Sequence, residues 1–367
     1  MALGRRFRDQ FDWPLFVTVV AIGVIGVVNL YSAVSIAGPR YEDSYIQQIY
    51  WLTLGAATAV LVTAIDYRHF ERHGWEAYAV GVVLLVLVFL LGREVRGSQR
   101  WIPIGPFSLQ PSELMKLCFI IALAKYLHDD PRTEGRTLKD LIIPGLILAL
   151  PLVLILNQPD LGTALVMVFV FGSIMFLTHL KTRSFVTLLL TLVASAPLTW
   201  EYLLKEYQRE RLLSFLRPAK DLLDTGWHAH QAKVAIGSGG FWGKGYLQGT
   251  QNQLRFLPDP HTDFPFPVWA EEQGFIGAVI LLFLYMFLVL WGLQIASKAK
   301  DRFGAVVAVG VSALIFAHSV INLGMVCGLL PVVGITLPLF SYGGSSVLTI
   351  LIGIGLLMNI SMRRFRF

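Results

Sequence analysis

The sequence predicts an all-α, polytopic integral membrane protein with about ten transmembrane helices. Three observations carry that prediction. The 367 residues are 55% hydrophobic and only 15% charged, where a soluble domain has roughly a quarter charged. Apolar runs recur along the whole chain, each long enough to cross a hydrocarbon core of about 30 Å as a helix. The runs are continuous rather than alternating, which argues against a transmembrane β-barrel.

Candidate spans lie near 14–35, 47–65, 74–92, 112–127, 141–157, 161–179, 184–204, 266–293, 303–327 and 334–360. The first run is far longer than a signal-peptide core of 7–15 residues, so it reads as a retained helix. Cys118 and Cys327 lie in or beside apolar runs and read as small buried hydrophobes, with no disulfide framework. The formal net charge of +6 could suggest nucleic acid in a soluble chain, but here its distribution is topological. Lys and Arg crowd the segments 1–13, 66–73, 128–140, 180–183, 294–302 and 361–367, while the short loops on the other side hold only Arg40, Arg93, Arg96 and Arg100. That bias predicts both termini in the cytoplasm. The loop 93–111, the turn at 157–160, the long loop 205–265 and the turn at 327–334 then face the extracytoplasmic side, where ATP is not available.

Those segments hold the candidate chemistry. In 254–277, LRFLPDPHTDFPFPVWAEEQGFIG, Asp259, Asp263, Glu271, Glu272 and His261 stand at the entrance to an apolar run, where unpaired charges cost several kcal/mol. Glu113 and Lys116, three apart at the start of the fourth span, can pair on one helix face. They form an ion pair that fixes packing, a charged cavity wall, or both. Arg100 and Trp101 set a cation beside an amphipathic ring, as an interfacial anchor would. Asp160, in the turn NQPDLG, either caps the sixth span or lends a second carboxylate to a site at the same depth. Gly237–Gly245 holds five glycines in nine residues; with Lys244 it could approach a phosphate, or serve as a hinge. It is not a Walker loop, because Gly follows Lys244. His228, His230 and His261 lack the closed ligand set of structural zinc. A loosely held Mg²⁺ or Mn²⁺, shared by carboxylates near Asp263 and a substrate phosphate, fits better. In the last span, glycines and hydroxyls of SYGGSS allow close helix contact or irregular backbone beside a cavity.

Six motifs, GSQRWIPIGPFSLQPSELMKL, NQPDLGTA, YQRERLLSFLRP, AIGSGGFWGKGYLQGTQNQLRFLPDPHTDF, WAEEQGFIG and LPVVGITLPLFSYGGSS, resemble those of the SEDS family (shape, elongation, division and sporulation). They occur in the family's order and cover almost the whole chain. The segment NLGMVCGLLPVVGITLP is closer to the rod-shape branch than to the division branch. The resemblance implies a single membrane domain over 1–367, with much of the active site carried by 205–265. It implies a peptidoglycan glycosyltransferase in the bacterial inner membrane that polymerises lipid II and releases undecaprenyl pyrophosphate. A class B penicillin-binding protein and other elongation-complex membrane proteins are the implied partners. It assigns the essential aspartate to Asp263 and maps family positions onto Trp101, Glu113, Lys116 and Asp160; Gln231 and His261 are further cavity candidates. Departures from the family pattern are Asp259, the segment Trp227–Ala232, and Pro265-Phe266-Pro267, whose prolines put the start of the eighth span in question.

The chemistry agrees with these residues. A sugar hydroxyl attacking an anomeric carbon needs one base, and a lipid pyrophosphate leaves as an anion without a second carboxylic acid. Positive charge from Lys116, Lys233, Lys244 or a divalent ion would stabilise it. Two other readings are a flippase for a lipid-linked precursor and a non-enzymatic scaffold for a cell-wall synthase.

Overall fold

The computed structural model describes residues 11–35, 43–95, 98–105, 107–130, 135–178, parts of 181–201, 206–216, 225–257 and 259–363. The predicted seventh span, 184–204, falls largely outside the described residues, as do Arg40, Arg96, the segment up to residue 10 and the stretch 217–224.

The chain runs through α1 (Trp13–Val34), α2 (Ser44–Ala64), a short α3 (Tyr67–Arg72) and α4 (Gly74–Leu91). Strands β1 (Arg93–Val95), β2 (Ser98–Ile104) and β3 (Phe107–Leu109) lead into α5 (Pro111–Asp129). A 3-10 turn (Leu138–Leu141) enters α6 (Ile142–Asn157), followed by α7 (Leu161–Leu177). The long loop carries α8 (Glu206–Leu216), α9 (Thr225–Ser238) and α10 (Thr250–Gln253); α11 (Pro265–Ser297), α12 (Arg302–Val326) and α13 (Gly344–Arg363) complete the chain.

Among the described residues, seven helices are long and apolar enough to cross a membrane: α1, α2, α4, α6 with its 3-10 turn, α11, α12 and α13. The chain is a multi-pass membrane protein. α5 has similar length but carries Glu113, Lys116 and Lys125, and α7 is shorter. Helix starts follow from local chemistry. Asp12, Asp66, Asp160 and Asp301 stand just before α1, α3, α7 and α12 and accept from N–H groups of the first turn.

Burial separates centre from periphery. Of the apolar windows of α12 and α13, 72% and 89% are buried, against 11% for α2 and 22% for α4. The outward faces of α2, α4 and α11 expose Val60, Leu61, Val83, Leu90, Phe283 and Leu290. A belt of this kind is stable against lipid, where helix contact rests on packing and polar pairs rather than on burial from water.

Three features depart from expectation. The tenth span begins at Gly344 rather than 334, because Pro331, Gly334, Pro338 and Gly343 interrupt the apolar run. The preceding backbone is irregular yet buried at Val333, Ile335, Leu337, Leu339 and Phe340. Its polar groups are satisfied from neighbours: Gln48 donates to Ser341 O at 3.0 Å, Tyr285 to Pro338 O at 2.6 Å, and Asn322 to Ile335 O at 2.6 Å. Second, the loop 93–111 folds as a three-stranded antiparallel sheet in the order β1-β2-β3, with Trp101 opposite Arg93 and Ile102 opposite Leu109. Third, α11 is broken at Gly274, whose φ of 66° and ψ of −163° lie outside the helical region. Pro265 and Pro267, by contrast, do no harm, since the first turn of a helix leaves its N–H groups unused.

Candidate active site

The motif around Asp263 is a tight turn set on the start of α11. Asp259 adopts a positive φ of 37°, and its carbonyl accepts from Thr262 N at 3.2 Å and Phe264 N at 3.4 Å. Within that curl, Asp259, Pro260 and His261 join Ala33, Asn252, Arg255 and Leu257 in lining a cavity of about 160 Å³. His261 is buried there, its carbonyl accepts from Tyr342 N at 2.8 Å, and the two rings lie 6.2 Å apart. Burial raises the Tyr342 phenol, which donates to Gln47 Oε1.

Asp263 is half-buried and faces the irregular 328–343 segment. Asn322 Nδ2 of α12 donates to both Asp263 O (3.1 Å) and Ile335 O (2.6 Å), so one buried amide ties the two segments together. Gly334 has a φ of 72°, and a Cβ on it would lie 3.4 Å from Asp263 Oδ2. Glycine is the residue that takes this left-handed conformation without strain while leaving the carboxylate unobstructed.

The same segment reaches the predicted ion pair. Lys116 Nζ lies 2.7 Å from Glu113 Oε1 and 2.7 Å from His318 Nε2, while His318 Nδ1 lies 3.1 Å from Thr336 O. Glu113 and Lys116 thus share a helix face, as their spacing predicts, and are buried. Asp160 forms an adjoining cluster. It caps α7 through Thr163 N at 3.2 Å and also accepts from Thr163 Oγ1, Gln110 Nε2 and Ser112 Oγ. Arg100 lies 3.7 Å from the Asp160 carboxylate and donates to the carbonyls of Gln158 and Pro159. Gln110 N donates to Ser345 Oγ at 2.9 Å, which joins this cluster to the start of α13. The expected cap is therefore present at Asp160, and the same carboxylate also holds Gln110, Ser112 and Arg100. Trp101 is half-buried on β2, beside Arg100.

The glycine-rich stretch lies elsewhere. Gly243 has a φ of 82°, and a Cβ there would clash with Glu272 O; Gly274 is equally close to Gly243 N. The glycines allow two backbones to touch at the break in α11, where Lys244 N donates to Glu271 O and Gly245 N to Glu272 O, each at 3.0 Å. Lys244 Nζ lies 2.6 Å from Glu271 Oε1. Glu271 Oε1 also accepts from Thr250 Oγ1 at 2.9 Å and Gln251 N at 3.1 Å, and Glu272 accepts from Ser32 Oγ. These contacts bind α1, the long loop and α11 together. Of the remaining candidates, Gln231 is buried on α9; Lys233 is exposed, its Nζ lying over Gly328. The side chain of His228 lies outside the described ones. Among the described residues no three His, Cys, Asp or Glu side chains converge to hold a metal ion.

His318, Asn322 and Thr336 escaped the sequence reading because one polar residue within an apolar run carries no pattern. Arg100 was read only as an anchor, although its distance from the turn 157–160 in sequence hides a direct contact.

Comparisons with known proteins bear on the chain as a whole. The cell cycle protein family model (FtsW/RodA/SpoVE) matches residues 12–365. The peptidoglycan glycosyltransferase MrdB of Escherichia coli K12 is 39% identical over 337 residues, covering 91% of this chain and 90% of that protein. The peptidoglycan glycosyltransferase RodA of Treponema pallidum is 34% identical, covering 97% and 98%. A chain from a peptidoglycan synthase complex of coordinated polymerization and crosslinking superposes with a TM-score of 0.83 at 35% identity, covering 97% and 99%. The rod shape determining protein RodA of Thermus thermophilus gives 0.73 at 33% identity, covering 97% and 98%. With the family model spanning it nearly end to end and such relatives aligned over nine-tenths of its length, the chain belongs to the FtsW/RodA/SpoVE, or SEDS, family.

Proposed function

We propose that the chain is a peptidoglycan glycosyltransferase that polymerises lipid II into glycan strands during cell elongation and rod-shape maintenance, releasing undecaprenyl pyrophosphate. The observation that carries this reading is the placement of Asp263. It stands at the foot of the long loop, tied through Asn322 to a segment that also touches the buried Lys116–Glu113–His318 cluster.

In this reading Asp263 accepts the proton of the acceptor sugar hydroxyl as its oxygen attacks the anomeric carbon of the donor. The C–O bond to the lipid pyrophosphate breaks and the configuration inverts. Lys116 supplies positive charge to the departing anion. Trp101, Asp160, Gln231, Lys233 and His261 shape the cavity. Lys244, engaged by Glu271, holds the long loop in place. The whole chain acts as one membrane domain, with segment 205–265 completing the site. The distribution of Lys and Arg supports an inner-membrane protein with its site on the extracytoplasmic side. A class B penicillin-binding protein is the partner that would cross-link the product, a role supported by the polymerization and crosslinking complex in which a similar chain was solved.

The test is polymerisation of lipid II by purified protein in detergent, with moenomycin present to silence unrelated polymerases. Wild type yields polymer, and Asp263→Ala loses at least about a hundredfold. Full activity in a well-folded Asp263→Ala sinks the base assignment, and no polymer from wild type, alone and with its partner, leaves a flippase or scaffold.

A further inference from the structure

The reaction as written assigns no task to His318, yet this side chain is only 2% exposed and both of its ring nitrogens are engaged. Those two contacts fix its state. A backbone carbonyl only accepts, so Nδ1, 3.1 Å from Thr336 O, carries the hydrogen. An ammonium only donates, so Nε2, 2.7 Å from Lys116 Nζ, is the acceptor. The reverse arrangement, a neutral amine facing an imidazolium, would remove the charge from Nζ, 2.7 Å from the Glu113 carboxylate. The imidazole is therefore neutral and in one tautomer, held by the backbone of the irregular segment. Thr336 is itself fixed, its Oγ1 donating to Ser346 Oγ at 2.9 Å.

The consequence falls on Lys116. Glu113 Oε1 and His318 Nε2 occupy two of the three ammonium hydrogens and define the direction of the third, which has no partner among the described residues. Glu113 Oε2 is likewise buried without a hydrogen-bond partner there. A buried pair left incomplete on both members is costly unless a polar ligand completes it.

We propose that His318 is a positioning residue, a neutral acceptor that aims the Lys116 ammonium so that its third hydrogen meets the pyrophosphate of the lipid-linked donor. The inference rests on the glycosyltransferase reading above. His318 forms no covalent bond and transfers no proton; it sets where positive charge stands as the leaving group gains its negative charge. An interaction that strengthens as the C–O bond breaks acts on kcat more than on KM.

Two variants in the same lipid II assay separate aiming from packing. Gln in place of His can accept from Lys116 and donate to Thr336 O, whereas Met fills similar volume without that acceptor. His318→Met is expected to lower kcat by about tenfold or more, in the range of losses from positioning partners, with KM changed less than about threefold. His318→Gln is expected to recover most of that loss. A folded His318→Met with wild-type kcat overturns the proposal, as does a His318→Gln as impaired as His318→Met. Should His318→Met not purify as a folded protein, His318→Gln decides alone: near-wild-type kcat supports the proposal and a tenfold loss overturns it. These outcomes are distinct from failure of the glycosyltransferase reading, in which wild type itself makes no polymer.

Discussion

Two lysine–carboxylate pairs in this protein lie at almost the same distance, and they differ in what surrounds them. Lys244 and Glu271 approach to 2.6 Å, Lys116 and Glu113 to 2.7 Å. The first pair is saturated. Lys244 donates to Ser238, Thr250 and Glu271, and Glu271 also accepts from the Gln251 backbone and from Thr250. The second pair leaves an ammonium hydrogen and a carboxylate oxygen incomplete among the described residues. Distance between opposite charges therefore says little about role. What separates a lock from a working site is whether neighbouring backbone and hydroxyl groups have consumed the remaining hydrogen-bonding capacity.

Breaking each pair should separate the two roles. The largest effect is expected from Lys116→Met: a loss of about a hundredfold in kcat for lipid II polymerisation, alongside a lowered thermal midpoint in detergent from the Glu113 carboxylate left buried and unpaired. A Lys116→Met protein that keeps its kcat while its midpoint falls would make this pair a lock as well. Glu271→Ala is the opposite case. Removing the acceptor strands Lys244, Thr250 and the Gln251 N–H, so a loss of about 3 kcal/mol is expected, read as a lowered midpoint. An unchanged midpoint would remove the contrast. The smallest effect belongs to Lys244→Met, about 1 kcal/mol, because the lysine side chain is 27% exposed and water screens it. Glu271 keeps its Thr250 and Gln251 partners in that variant, and polymerisation should stay within about threefold of wild type.

Legibility followed the range over which each signal acts. The start of α5 is readable because Pro111, Glu113 and Lys116 lie within about a turn and a half of one another. Gly237–Gly245 was readable as special but not as to purpose. Its glycines serve close contact with the break at Gly274, far onward in the chain. The strands of 93–109 are only three to seven residues long, so from sequence the segment reads as a loop between two spans. At the tenth span, hydropathy continued straight through Gly334 and Pro338, while the backbone did not.

By itself the sequence determined the membrane class, most of the apolar helices and the family, and it nominated Asp263 at the foot of the long loop. These rest on composition and on motifs contiguous in the chain. Only the tertiary structure decided which charges are locked and which are open, because the deciding partners lie far away in sequence. Lys244 and Glu271 are 27 residues apart, Asn322 and Asp263 are 59 apart, and Lys116 and His318 are 202 apart. A hydrogen bond depends on positions within tenths of an ångström, and no local pattern in the chain encodes which distant helix will supply its other half.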